Sequence, residues 1–317
     1  MMRKWRISRE ETEEVAVLLF PRFSNHCLAN AIEPLRAAND LSSKKIYRWQ
    51  FVTLDGAGVT SSSGLPVVPE CRLSDHPGGD YLFVMPSYGV RDQAGYRNLR
   101  GIRGAARRFR NIVGMDTGSW LLAAAGMLDG SRATIHHDEM TSFSETFEDV
   151  DAVSERFVVD GNLMTCGGAM SAFDLVLNLI GRTHGEILRL EVASLLLFSN
   201  SGEPPGLLYK TKGSLFVDSC VALMSANLET PLPIADLARQ AGTTQRQLNR
   251  EFQAQLGASP KTVYKRLRLM SARRYAEQSG YSVAEIALRC GYQNPAAMTR
   301  AFVEEFGAPP TTFRQTN

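Results

Sequence analysis

Two stretches of this 317-residue chain hold side chains whose types and spacing could do chemistry. In the first, a short apolar run over 111–115 leads straight into Asp116-Thr117-Gly118-Ser119-Trp120. An apolar helix carrying Leu121, Leu122 and Ala125 follows. A tight strand-to-helix turn presents its central side chain, Asp116, at the mouth of a sheet, beside the free N–H groups of a helix. Turns of this kind activate nucleophiles in many hydrolases, and His136 lies 20 residues further on. As a purely structural part, Asp116 would cap the helix that it begins.

In the second stretch, residues 232–314, one small helical device occurs twice. Ile234, Leu237 and Ala238 precede Gly242; Val283, Ile286 and Ala287 precede Gly291. Each glycine supplies the left-handed residue that a sharp turn needs. A second helix then buries one stripe four residues apart: Leu248, Phe252 and Leu256 in the first copy, Met298, Phe302 and Phe306 in the second. The register holds, with 50 residues from Gly257 to Gly307 and 49 from Gly242 to Gly291. This is the grammar of a duplicated helix-turn-helix. The free face of the first copy offers Gln245, Arg246, Asn249 and Arg250, which can bond base edges or phosphates.

Charge separates a DNA reader from a solvated helical bundle. Residues 231–317 carry 12 Lys and Arg against 6 Asp and Glu, a net of +6, whereas the remainder is −4. A basic module joined to a mildly acidic one fits binding to double-stranded DNA.

The elements that must position the first stretch alternate. A continuously apolar run at 15–20 predicts a strand covered on both faces, and 47–54, 81–85 and 111–115 are further strand candidates. Helices are expected over 26–41, 98–110 and 119–125. The reading is an α/β, flavodoxin-like domain with a mostly parallel sheet, followed by an all-α domain. Ligands in such sheets sit beyond the carboxyl ends of the strands, which singles out 20–21, 85–89 and 115–118. A helix over 186–198 is a candidate for self-association, and 200–206 has linker composition. The expected division is 1–199, a linker at 200–212, and 213–317, with the last part opening on a helix over 214–227. Asp174 is expected to be an internal hydrogen-bond partner and His184 to lie at the surface. Residues 1–14 hold no apolar core of signal-peptide length, and no apolar run approaches 18 residues, so a cytoplasmic protein without membrane contact is expected. Five scattered cysteines without a paired motif argue against disulfides and structural zinc.

The second stretch resembles the AraC/XylS-type DNA-binding domain. The resemblance rests on Thr244-x-Arg246-x-Leu248-x-Arg250-x-Phe252, Gly257-x-Ser259-Pro260, Arg268-Leu269-x-x-Ala272, Gly291-Tyr292 and Pro310-x-x-Phe313-Arg314. It implies two recognition helices in adjacent major-groove segments, about one helical turn apart, joined by a long helix over 262–278. In the second copy Pro295, Ala296 and Ala297 carry no hydrogen-bonding side chains. That leaves Gln293, Asn294, Thr299 and Arg300 for phosphate anchoring, with thymine-methyl contact by the alanines. The first helix should therefore discriminate more than the second.

The amino-terminal part resembles the PfpI type of the class I glutamine amidotransferase fold, and the whole chain resembles the GlxA-type regulators that fuse the two. The motifs are Phe20-Pro21-x-Phe23-Ser24, Glu33-Pro34-Leu35-Arg36-Ala37-Ala38-Asn39, Leu54-Asp55-Gly56, Asp116-Thr117-Gly118 and Leu128-Asp129-Gly130-x-x-Ala133-Thr134-x-His136. In catalytic relatives the turn carries a cysteine, beside a histidine and a glutamate that His136 and Glu33 match. Here the turn carries Asp116, a far weaker nucleophile than a thiolate. The resemblance then implies a transcription regulator, an activator, whose former catalytic pocket senses a small effector. No catalytic residue, metal or cofactor is expected. Its pocket would comprise Glu33, Tyr88, Asp116, Thr117, Trp120, His136 and His137. Carboxylates with aromatic faces suit a cationic amine or amino acid. Regulators of carnitine, betaine and arginine use within this type point the same way. A lone Trp120 would otherwise belong to the core. The remaining partners implied are a second copy of the chain and RNA polymerase. The alternative is an amidase- or hydrolase-like enzyme with an accessory nucleic-acid module.

Overall fold

In a computed structural model of the chain, residues 12–42, 44–197 and 215–314 are described. Two compact units are resolved, Met1–Val192 and Ala193–Asn317. The expected linker at 200–212 lies outside the described residues.

In the first unit the apolar runs become strands: β1 (Glu13–Leu19), β2 (Tyr47–Thr53), β3 (Cys71–Arg72), β4 (Gly79–Met85) and β5 (Phe109–Met115). A hairpin of β6 (Phe157–Asp160) and β7 (Leu163–Cys166) completes a seven-stranded sheet in the order β6-β7-β5-β4-β1-β2-β3. All neighbours are parallel except β6 against β7. Alternate residues serve the two faces, which explains the unbroken apolar runs. Ala16, Leu18, Phe20, Leu82, Val84 and Ile112 share one core with Ile102, Leu121 and Leu122. Val15, Val17, Leu19 and Phe83 point the other way and are equally buried.

The helices of this unit are α1 (Asn25–Ser42), α2 (Tyr96–Ala106), α3 (Gly118–Ala124) and α4 (Ala169–His184), with short ones also at Val90–Gln93 and Met140–Thr146, and α5 (Glu186–Leu197) begins in it and crosses its boundary. α1 packs along α4. The helix expected over 98–110 stops at Ala106, because Phe109 is already buried as the first residue of β5. Thr165 and Cys166 end β7 beside β5, with Cys166 in register with Met115. His184 is not at the surface. Its ring is fully buried, edge-on to Tyr47 at 5.1 Å, with Nε2 3.7 Å from Glu13. Asp174 does have an internal partner, the Arg156 guanidinium.

The second unit is helical: α6 (Leu215–Ala226), α7 (Ile234–Gln240), α8 (Gln245–Leu256), α9 (Pro260–Gln278), α10 (Val283–Arg289) and α11 (Pro295–Phe306). α9 starts earlier than expected because Ser259 caps it and Pro260 takes the first helical position. Leu248, Phe252 and Leu256 are buried on α8, and Met298 and Phe302 on α11. Tyr264 braces the lead-in to α7: its hydroxyl donates to the Asn227 carbonyl at 2.7 Å and accepts from Leu232 N–H at 3.1 Å. Gly242 and Gly291 both take positive φ at the two turns. A Cβ on Gly291 would come within 2.6 Å of the Leu228 carbonyl oxygen and of Pro231.

Candidate functional site

At the carboxyl end of β5 the chain makes the tight turn that its sequence suggested. Asp116 has φ of 60°, a conformation that asparagine and aspartate tolerate better than most residues. Two glycines make the turn possible. A Cβ on Gly118 would sit 2.2 Å from the Val84 carbonyl oxygen, and one on Gly114 would sit 2.9 Å from Ser119 N. The helix therefore starts hard against β4, and Asp116 is held at the junction.

The Asp116 carboxylate does not cap α3. It accepts from the Ser87 hydroxyl at 3.1 Å, while Thr117 Oγ1 donates to the Ser87 carbonyl at 2.9 Å. The loop after β4 and the turn after β5 are thus tied together. Burial raises the Asp116 pKa above its ordinary value; His136 and the Ser87 hydrogen bond oppose that rise. His136 is anchored through its backbone N–H, which donates to the Asp116 carbonyl at 3.2 Å. Its Nδ1 accepts from Asp138 N–H at 3.4 Å. Gly168 lies against the ring, where a Cβ would be 3.3 Å from Cδ2.

Of the pocket residues expected from sequence, Asp116, Thr117 and His136 converge. Glu33 does not join them: it is about half exposed and pairs with Arg36 at 2.7 Å. The α1 residue that reaches the turn is Cys27, fully buried, whose thiol is pushed up by burial and then by Cys166 and Asp116. Cys166 is also fully buried, and burial pushes its thiol up to about 12 against the pull of the Asp116 and Gly168 backbone N–H groups. Sequence reasoning gave neither cysteine a place in the pocket, since neither stands at the turn itself. Both are protonated at neutral pH and enclosed, so neither supplies a thiolate nucleophile.

Of the aromatic faces expected to receive a cation, that of Trp120 is already covered. Trp120 is buried with Phe143 and Phe147, and the Arg91 guanidinium lies 4.4 Å above its ring. Arg91 is itself held by Glu139 at 2.7 Å. Tyr88 is exposed and has Arg22 5.7 Å from its ring centre. His137 is exposed, stacks on His136 at 4.4 Å and approaches Asp138 at 3.2 Å. Ligand atoms of His136, His137 and Asp138 lie within 4.8 Å of one another, a donor set of the right chemistry for a divalent ion on a largely exposed loop.

In the second unit, Gln245, Arg246, Asn249 and Arg250 are all exposed on α8, opposite Leu248 and Phe252. Thr244 is spent locally: its hydroxyl caps α8 by accepting from Gln247 N–H. On α11, Asn294 accepts from Ala296 and Ala297 N–H groups, and Thr299 donates to the Pro295 carbonyl. Of the polar side chains expected to read DNA there, Gln293 and Arg300 stay exposed and uncommitted. Arg268, noted in the sequence only as a motif residue, locks this unit. It donates to the Cys290 and Gly291 carbonyls, each at 2.7 Å, and stacks 4.0 Å from the Tyr292 ring centre.

Residues 237–316 match a helix-turn-helix domain family. The chain is 33% identical to the HTH-type transcriptional regulator GbdR of Pseudomonas aeruginosa, over 96% of this chain and 84% of that protein. It is 31% identical to the HTH-type transcriptional regulator GlxA of Rhizobium meliloti, over 96% of each. The chain belongs to the GlxA/GbdR-type helix-turn-helix transcriptional regulators. As a member of that family it is a DNA-binding regulator of transcription. Isonitrile hydratase of Pseudomonas putida is 30% identical over 56% of this chain and 77% of its own. A ThiJ/PfpI family protein from Pseudomonas syringae, at TM-score 0.53 and 18% identity, covers 80% of this chain and 91% of its own and shares the fold. No helix among the described residues is long and apolar enough to cross a membrane.

Proposed function

We propose that this GlxA/GbdR-type regulator senses a small amine or amino acid at Asp116 and so controls its DNA reader, acting as an activator through contact with RNA polymerase. What carries the reading is the turn itself. The strained backbone of a catalytic elbow is kept, yet its side chain is a carboxylate, and the nearest thiols are buried and protonated. A buried anion whose pKa is raised is one that a cationic ligand would relieve. Arg91 already occupies the Trp120 face. The ligand is therefore a compact cation that pairs with Asp116, and an acid group on it would meet Arg22 or Arg91. In the reader, Gln245, Arg246, Asn249 and Arg250 contact bases or phosphates, and Ala296, Ala297 and Arg300 of the second helix serve methyl and phosphate contacts. Self-association as a homodimer, through the apolar α5, is the remaining part of this proposal.

Titration calorimetry with amines and amino acids tests the pocket. Asp116→Asn keeps a side chain that tolerates positive φ and should abolish the heat of binding; equal affinity in wild type and variant rejects the assignment. The relative named isonitrile hydratase keeps one alternative alive, an enzymatic first unit. Turnover of isonitriles or amides that is lost in Asp116→Asn would establish it.

A further inference from the structure

The first unit carries a basic face that nothing above uses. From Gln93 to Met115 there are six arginines, Arg97, Arg100, Arg103, Arg107, Arg108 and Arg110, and no lysine or acid. This lies within a part of the chain, residues 1–230, whose net charge is −4. The concentration of one sign is therefore local and not a property of the whole unit.

The helix α2 explains the arrangement. Ile102 and Ala105 are buried against the sheet, so the positions half a turn away must face water. All six arginines are exposed. Three have commitments: Arg103 donates to the Ala125 carbonyl, Arg108 to the Leu73 carbonyl, and Arg110 pairs with Asp80 at 3.0 Å. Among the described residues no carboxylate pairs with Arg97, Arg100 or Arg107. By helical spacing Gly104 stands on this face between Arg97 and Arg100 on one side and Arg107, the cap of α2, on the other. A Cβ there would touch nothing within 4 Å. A bare backbone ringed by guanidinium groups lets a polyanion come close, and arginine forks match phosphate oxygens.

The geometry points to a second DNA contact: the arginine face of α2 in the first unit binds the phosphate backbone of duplex DNA, without base preference. Duplex DNA is the polyanion a reader of this family already engages, and its charge complements this face. The contact rests on that DNA-binding assignment and extends it to the other unit.

The test uses the full-length protein and a duplex selected by the wild type, with affinity measured across a series of salt concentrations. Each phosphate neutralised adds about 0.9 to the slope of log affinity against log salt. The triple variant R97Q/R100Q/R107Q should lower that slope by roughly 2 to 3. It should leave the ratio of specific to non-specific affinity unchanged. Gly104→Glu puts an acid at the centre of the face and favours the helix, so it should weaken binding with no loss in melting temperature. Superimposable salt plots for wild type and both variants would overturn the contact. Failure of the wild type to bind any duplex in a salt-dependent way would instead strike at the reader itself.

Discussion

The two helix-turn-helix units descend from one pattern yet spend their side chains differently. In the first, four polar residues on α8 stay exposed, and one hydroxyl, Thr244, caps the helix. In the second, Asn294 and Thr299 are consumed by the backbone of α11 itself. The second unit is instead heavily braced. Arg268 holds the end of α10, Ser282 and Glu285 form a reciprocal cap at its start, and Phe302, Phe306 and Phe313 cluster around Arg273. One copy is built to read and the other to stand firm. Position along the repeat does not fix a residue's task; the partners it finds do.

The sharpest way to break this contrast is through the cores. Phe252 and Phe302 are both fully buried, and truncating either to alanine should cost about 3–5 kcal/mol. Denaturant melts followed by hydrogen exchange should show Phe302→Ala loosening α10 and α11 first. If both variants melt every helix together, the units are one cooperative body and the contrast concerns only their surfaces. Arg268→Ala comes next. It removes two hydrogen bonds from a charged donor, each worth about 1.5–3 kcal/mol, and should lower the melting temperature with little change in base preference. For the reading surfaces, Arg250→Ala should weaken binding to the selected duplex by about 1–3 kcal/mol and relax one base position. Arg300→Ala should weaken all duplexes alike and reduce the salt slope by about 1. A loss of sequence preference in Arg300→Ala would reverse the roles assigned to the two helices.

The smallest effect is a pH dependence confined to the second unit. The Glu285 carboxyl is held below its ordinary pKa by the Ser282 backbone N–H and hydroxyl. The unfolded chain binds that proton more tightly, so this contribution is present above the ordinary glutamate pKa and is lost as pH falls through the depressed one. The Thr244 cap does not titrate. Between pH 6 and about 3, exchange at the start of α10 should therefore accelerate more than at the start of α8. In Glu285→Gln that difference should vanish.

Much of this was legible in the residues. The apolar run at 15–20 and the shorter ones at 81–85 and 112–115 pointed to strands covered on both faces, and they are buried strands. The repeated glycines and the four-residue stripes gave both turns and both reading helices to within a few residues. What escaped depended on distant partners. The ring of His184 is buried because Glu13 and Tyr47 meet it, and both are far away in sequence. β6 and β7 are four residues each, broken by Gly161, too short for a period to register. Glu33 had its partner three residues along a helix, at Arg36, a signal that the sequence offered and the resemblance overrode. The coverage of Trp120 by Arg91 needed the fold, since Arg91 comes from the short helix that follows a different strand.

The absent side chain at Gly291 sets a dimension for the whole reader. With its α-carbon wedged against Leu228 and Pro231, the corner of one unit abuts the approach to the other, and Tyr264 pins that approach from behind. A larger residue at position 291 would have to push the turn before α11 away from the chain that enters α7, so the bare backbone there is what lets the two turns sit this close.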